Sequence, residues 1–98
     1  MRFTITNIST NPTTALRRAG YMFQHTTEQN EMSFVRVMGQ GGYPRFHMYV
    51  QLNGRDLHIS FHIDHKKHTY GDDTRHHGEY EESATLDQEA ARIKSIVH

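Results

Sequence analysis

Six of the nine histidines fall between His58 and His77, and His62 is followed two residues on by Asp64. On a strand that spacing puts an imidazole and a carboxylate on one face, about 7 Å apart at the backbone. Imidazole nitrogen with carboxylate oxygen is a donor set for zinc or another divalent transition ion, and positions left open on such an ion can activate water. Imidazole also titrates near neutrality, so the same residues could serve as acid or base in RNA cleavage.

These residues are positioned by a β-hairpin over roughly residues 43–64. Asn53-Gly54 lies between two alternating runs, RFHMYVQL and RDLHISFHID, and Asn-Gly is the preferred pair for a two-residue hairpin turn. A turn centred there predicts Leu52 opposite Arg55, Val50 opposite Leu57, Met48 opposite Ile59 and Phe46 opposite Phe61. The other face would pair Tyr49 with His58, His47 with Ser60, Arg45 with His62, and Tyr43 with Asp64. One face is therefore apolar and the other rich in histidine.

Strand geometry limits which histidines act together. His58 and His62 are about 13 Å apart at the backbone, too far to share an ion, whereas His47 lies diagonal to His62 at about 7–8 Å. The expected metal set is His47, His62 and Asp64, completed by His76 and Glu79 if the later polar segment folds over this face. An ordinary solvated cluster of Arg45, His62 and Asp64 would have the same composition. Arg45, Tyr49, His58, Lys66 and Lys67 lie on or next to this face. They mix phosphate-binding and stacking groups, so RNA is an alternative partner. A third reading is a protein-interaction domain that docks a partner on the open face and catalyses nothing.

The other elements follow from local signals. Residues 2–8 alternate as a short edge strand. Asn11 caps a helix with Pro12 at its first position, Ala15, Leu16 and Ala19 form its apolar side, and Gly20 ends it. Residues 24–31 read as a polar loop and 32–38 as a strand, ended by Gly39-Gln40-Gly41-Gly42. Residues 65–84 have almost nothing to bury. Thr85, with Gln88 completing a capping box, is expected to open a second helix whose stripe is Leu86, Ala90, Ile93 and Val97. Asp87 and Glu89 would then occupy its first turn, as the helix dipole prefers. The predicted order is β-α-β-β-β-α. It makes a single α+β domain over 1–98, a two-layer sandwich with both helices on one face of an antiparallel sheet.

Composition narrows the classes. With 98 residues there is room for one modest core, and five Phe with five Tyr argue against disorder. The absence of Cys excludes disulfides, iron–sulfur clusters and thiolate zinc sites. No apolar run reaches the ~20 residues of a membrane helix, and a cytoplasmic protein is expected. Formal charge is zero but uneven. Residues 1–71 carry eight Lys/Arg against four Asp/Glu, while 72–98 carry three against seven. That profile is far from strongly basic. No P-loop, dinucleotide fingerprint, nucleophile elbow or H-E-x-x-H motif is present, and no organic cofactor is expected.

The segments Tyr43-Pro44-Arg45-Phe46-His47, His62-Ile63-Asp64-His65-Lys66-Lys67 and His76-His77-Gly78-Glu79-Tyr80 resemble a group of small uncharacterised bacterial proteins over roughly residues 32–97. The resemblance implies no activity. In that pattern glutamine and proline can replace His65 and His68, which shifts weight to His47, His62, Asp64, His76 and Glu79. In topology alone the chain is also similar to HicA-type toxins, small ribonucleases. Leu16-Arg17-Arg18-Ala19-Gly20-Tyr21 is like their first helix and turn, but Gly41-Gly42-Tyr43-Pro44-Arg45 stands in place of their G-S-H-type catalytic segment. Fold likeness does not carry function.

Overall fold

The alternating runs on either side of Gly54 form the centre of a five-stranded antiparallel sheet in the computed structural model of the chain. The structure describes residues 1–65 and 78–98, and of 78–82 the backbone alone. In chain order the elements are β1 (Arg2–Ile5), α1 (Pro12–Arg18), β2 (Met22–Thr26), β3 (Met32–Val37), β4 (Arg45–Asn53), β5 (Asp56–Asp64) and α2 (Gly78–Ile96). A short 3-10 turn, Gln40–Gly42, joins β3 to β4. The sheet order is β1-β5-β4-β3-β2. Both helices pack on one face, so the α+β sandwich expected from the sequence is the observed architecture. Among the described residues no helix is long and apolar enough to cross a membrane.

The hairpin is present, but its register differs from the predicted one by two residues. Gly54 and Arg55 form the turn, Asn53 pairs with Asp56, and Gly54 has φ +67° at the first central position. There a type II′ turn takes glycine. Leu52 now faces Leu57, Val50 faces Ile59, Met48 faces Phe61 and Phe46 faces Ile63. The predicted register would have given three apolar pairs and set Leu52 against Arg55; the observed one has four. Tertiary contacts fix it further, because the Ile8 N–H donates to the Arg55 carbonyl at 2.9 Å and the Asn7 N–H to Asp56 Oδ1 at 3.1 Å. An even shift leaves every side chain on its predicted face. It does change who stands opposite whom, and His47 now faces His62 while Arg45 faces Asp64.

β2 replaces the first part of the polar loop expected at 24–31. All five of its residues are exposed, so no alternation marks it, and a bulge at Gln24 breaks its register with β3. β1 is shorter than the expected 2–8. Asn11 caps α1 as expected, its Oδ1 accepting from the N–H groups of Thr13 and Thr14 at 2.8 and 3.3 Å.

α2 begins at Gly78, well before the expected start at Thr85, so Thr85 is an interior residue and no capping box forms there. The predicted stripe is nevertheless the buried one: Leu86, Ala90, Ile93 and Val97 are all inside. Leu86, Ile93 and Val97 meet Leu16, Phe34, Met48, Val50, Leu57, Ile59 and Phe61 in one cluster. Each such large apolar side chain contributes about 1.5–3 kcal/mol relative to exposure.

Glu89 does not serve the dipole of a first turn. It is buried, accepting from the Tyr21 hydroxyl at 2.8 Å and from Arg92 Nε and Nη2, both at 2.8 Å, with Arg36 at 3.5 Å. Burial alone would raise its pKa, but the Arg92 and Tyr21 hydrogen bonds and both guanidinium charges outweigh that and hold the carboxyl below its usual range. Burial, with the Glu89 carboxylate beside it, pushes the Tyr21 phenol up. This ionic group ties α2 to the end of α1 and to β3.

Candidate metal centre

Helices cover the apolar face of the sheet, and the polar side chains gather on the other. On β4 this open face carries Arg45, His47, Tyr49 and Gln51; on β5 it carries Asp64, His62, Ser60 and His58. Cross-strand neighbours on one face are close enough for side chains to touch. His47 and His62 are such a pair, with ring centroids 4.9 Å apart.

Asp64 joins them. Its Oδ2 accepts from His47 Nδ1 at 2.9 Å and from Arg45 Nε at 3.2 Å, and its Oδ1 lies 2.8 Å from His62 Nε2. One ligand atom from each of His47, His62 and Asp64 lies within 4.8 Å of the other two, so this group could hold a metal ion. His47 is buried, while the side chain of His62 is 45% exposed and opens the group to solvent.

The electrostatics follow from that burial. Burial lowers the His47 pKa and outweighs the raising effect of Asp64, which favours the neutral ring. For Asp64 burial acts in the raising direction. The charges and hydrogen bonds of His47, His62 and Arg45 overcome it and keep the carboxyl below the usual carboxylate range.

Behind His47 lies a contact that the sequence did not announce. Its Nε2 is 2.9 Å from the Oγ of Ser33, a fully buried side chain, and that hydroxyl donates to Gln24 Oε1 at 3.2 Å. The line Ser33–His47–Asp64 has the connectivity of a hydrolytic triad. A serine wholly shielded from solvent cannot present its oxygen to a substrate, however, and Ser33 instead fixes the ring of His47. Ser33 stands among apolar neighbours in a strand, and Gln24 falls in the segment read as loop, so nothing in the one-dimensional pattern singled out either residue.

The remaining candidates separate. His58 faces Gln51, not Tyr49, and its Nδ1 is 3.1 Å from Thr4 Oγ1, away from the His62 group. Tyr49 lies between the two regions, its ring 4.7 Å from that of His47 and 6.3 Å from that of His62. Arg45, considered for nucleic acid, is engaged by Asp64 and stacks over Tyr43 at 4.8 Å. His76, Lys66 and Lys67, and the side chain of Glu79, lie outside the described residues.

Against known proteins, the chain matches no family model, no curated protein and no solved structure.

Proposed function

We propose that this protein is a divalent-metal-binding module, its ion held on the open sheet face by His47 Nδ1, His62 Nε2 and a carboxylate oxygen of Asp64. The observation that carries the reading is the convergence, within 4.8 Å, of one donor atom from each of these three residues on two neighbouring strands. Donors about 2.0–2.2 Å from a tetrahedral zinc stand roughly 3.4 Å from one another. The two histidine–carboxylate contacts, at 2.9 and 2.8 Å, would open by about 0.5 Å to admit an ion, and any donor pair near the 4.8 Å limit would close by on the order of 1 Å.

The second nitrogen of His47 is also provided for: Nδ1 faces the Asp64 carboxylate and Nε2 faces the Ser33 hydroxyl. Burial favours the neutral ring, which carries one hydrogen. With a cation on Nδ1 that hydrogen sits on Nε2 and donates to Ser33, whose own hydroxyl donates to Gln24. This is the arrangement in which a ligating histidine is held by its second nitrogen.

A two-histidine, one-carboxylate set leaves coordination positions open, and an ion there would supply Lewis acidity and an activated water, the chemistry of phosphodiester hydrolysis. Arg45, beside Asp64, would neutralise a phosphate oxygen at the same place. The test is titration of zinc, manganese and nickel into the protein, followed through the imidazole NMR signals. The His62 and His47 rings should shift at micromolar metal while His58 stays put. A silent His62 ring refutes the reading.

A further inference from the structure

We infer that the polar depression next to the metal group is a seat for the nucleoside part of a nucleotide, with the phosphate directed towards the ion. The inference rests on the metal reading for the phosphate end only. The depression has a volume of about 480 Å³ and is lined chiefly by Arg2, Thr4, Tyr49, Gln51, His58 and Ser60, with Glu31 at one side. That volume lies within the range of roughly 300–1,000 Å³ typical of small-molecule sites.

The depression and the metal group share a wall. Tyr49 lines the first and contacts both histidine rings of the second. Ser60 precedes His62 by two residues on the same face of β5, and Arg2 is the cross-strand partner of Ser60. The Arg2 backbone is therefore diagonal to His62, about 7–8 Å away, within the length of an arginine side chain. A group spanning from the ion to Arg2 would cross Ser60 and Tyr49.

Charge selects the sign of that group. A divalent ion with one carboxylate has a net charge of +1. Arg45 and Arg2 flank it, and among the described residues Glu31 is the one acidic side chain lining the depression. The excess is positive, and a phosphate monoester would answer it.

Size and chemistry select the rest of the ligand. Inorganic phosphate would fill only a small part of the volume. The remainder offers an aromatic surface at Tyr49, an amide at Gln51, hydroxyls at Thr4 and Ser60, and a carboxylate at Glu31. A flat ring with donors and acceptors on its edge uses all of these, and a ribose hydroxyl uses what is left. An aliphatic chain would cover Gln51, Ser60 and Glu31 and offer them no hydrogen bond in return.

The experiment titrates uridine 5′-monophosphate into metal-free protein, with inorganic phosphate and uridine as separate arms. It reads the Tyr49 ring and the Gln51 side-chain amide by NMR. The nucleotide should shift both, phosphate alone should shift neither, and uridine should do so more weakly. Arg2→Ala, or independently Tyr49→Ala, should weaken the nucleotide about tenfold, the loss expected for one charge-assisted contact or one stacked ring. Zinc should tighten nucleotide binding in the wild-type protein. Absence of any Tyr49 and Gln51 response at millimolar nucleotide overturns the seat, and so does an equal response to phosphate alone. If zinc shifts His62 yet leaves the nucleotide affinity unchanged, the phosphate is not directed towards the ion and the inference is wrong. A His62 ring silent to zinc in the absence of nucleotide refutes the metal reading instead, and the seat is judged on the metal-free titration.

Discussion

Replacing Ser33 with alanine isolates the contact that fixes the buried histidine. The Ser33 hydroxyl is fully buried and touches two groups, His47 Nε2 at 2.9 Å and Gln24 Oε1 at 3.2 Å. Ser33→Ala removes one oxygen and leaves a small void beside a ring nitrogen that has no other protein partner among the described contacts. A buried polar atom left unpaired costs about 1–3 kcal/mol. Gln24 is exposed and can turn to water, so the penalty falls on His47. In a domain of this size 1 kcal/mol shifts Tm by roughly 4–8 °C, and thermal unfolding followed by circular dichroism should show a decrease on the order of 5–20 °C. Zinc affinity, measured by calorimetry below the variant's own Tm, should fall about 10–100-fold, as when a ligating histidine loses the partner of its second nitrogen. Ser33→Thr, which keeps the hydroxyl, should recover most of the affinity. An Ala variant that is less stable but binds zinc with wild-type affinity would show that Ser33 supports the sheet without orienting the ligand.

Three further outcomes are expected. His62→Ala should abolish metal binding at little cost to stability, within about 1 kcal/mol, because its side chain is half-exposed; chemical denaturation alongside the metal titration checks both. Glu89→Leu should destabilise by about 2–4 kcal/mol, since it strands the buried Tyr21 hydroxyl and the Arg92 guanidinium, while leaving zinc affinity unchanged on the far face of the sheet. Stability of the metal-free protein should decline as pH falls in two stages, seen in urea titrations at stepped pH. His47 has a folded pKa below its ordinary 6.5, so the unfolded chain takes up its proton first and stability drops as pH falls through that range. Asp64 and Glu89 are held below their ordinary values, so their contribution is present above about pH 4 and is lost as pH falls through their folded pKa values. His47→Gln should remove the first stage and shrink the Asp64 part of the second, because His47 is the main group holding that carboxyl down, while sparing the Glu89 part.

Alternation on either side of the turn was enough to separate the faces: it set the residues of β4 before Asn53 and those of β5 on the apolar or the polar side, and the period-3.6 stripe named the buried apolar residues of the last helix, though not Glu89. Those assignments survive because a strand has period two and the register error was also two. The same patterns placed His62 and Asp64 together, since i and i+2 on one strand are neighbours whatever lies across from them.

The partners across the strands depend on long-range packing. The Asn-Gly pair favours one turn. The observed turn uses Gly54-Arg55, because that register adds a fourth apolar pair and because the chain after β1 bonds to Arg55 and Asp56. These are long-range contacts, invisible to local turn preference. Their consequence is the site: His47 moves from diagonal to directly opposite His62, and Arg45 comes opposite Asp64. Ser33 and Gln24 were hidden for a related reason. A fully exposed, bulged edge strand carries no periodicity, and the role of a buried serine is set by what packs against it. The histidine and aspartate spacing thus named three residues of the candidate site, and the packing of the sheet alone set which nitrogen of each histidine faces the carboxylate.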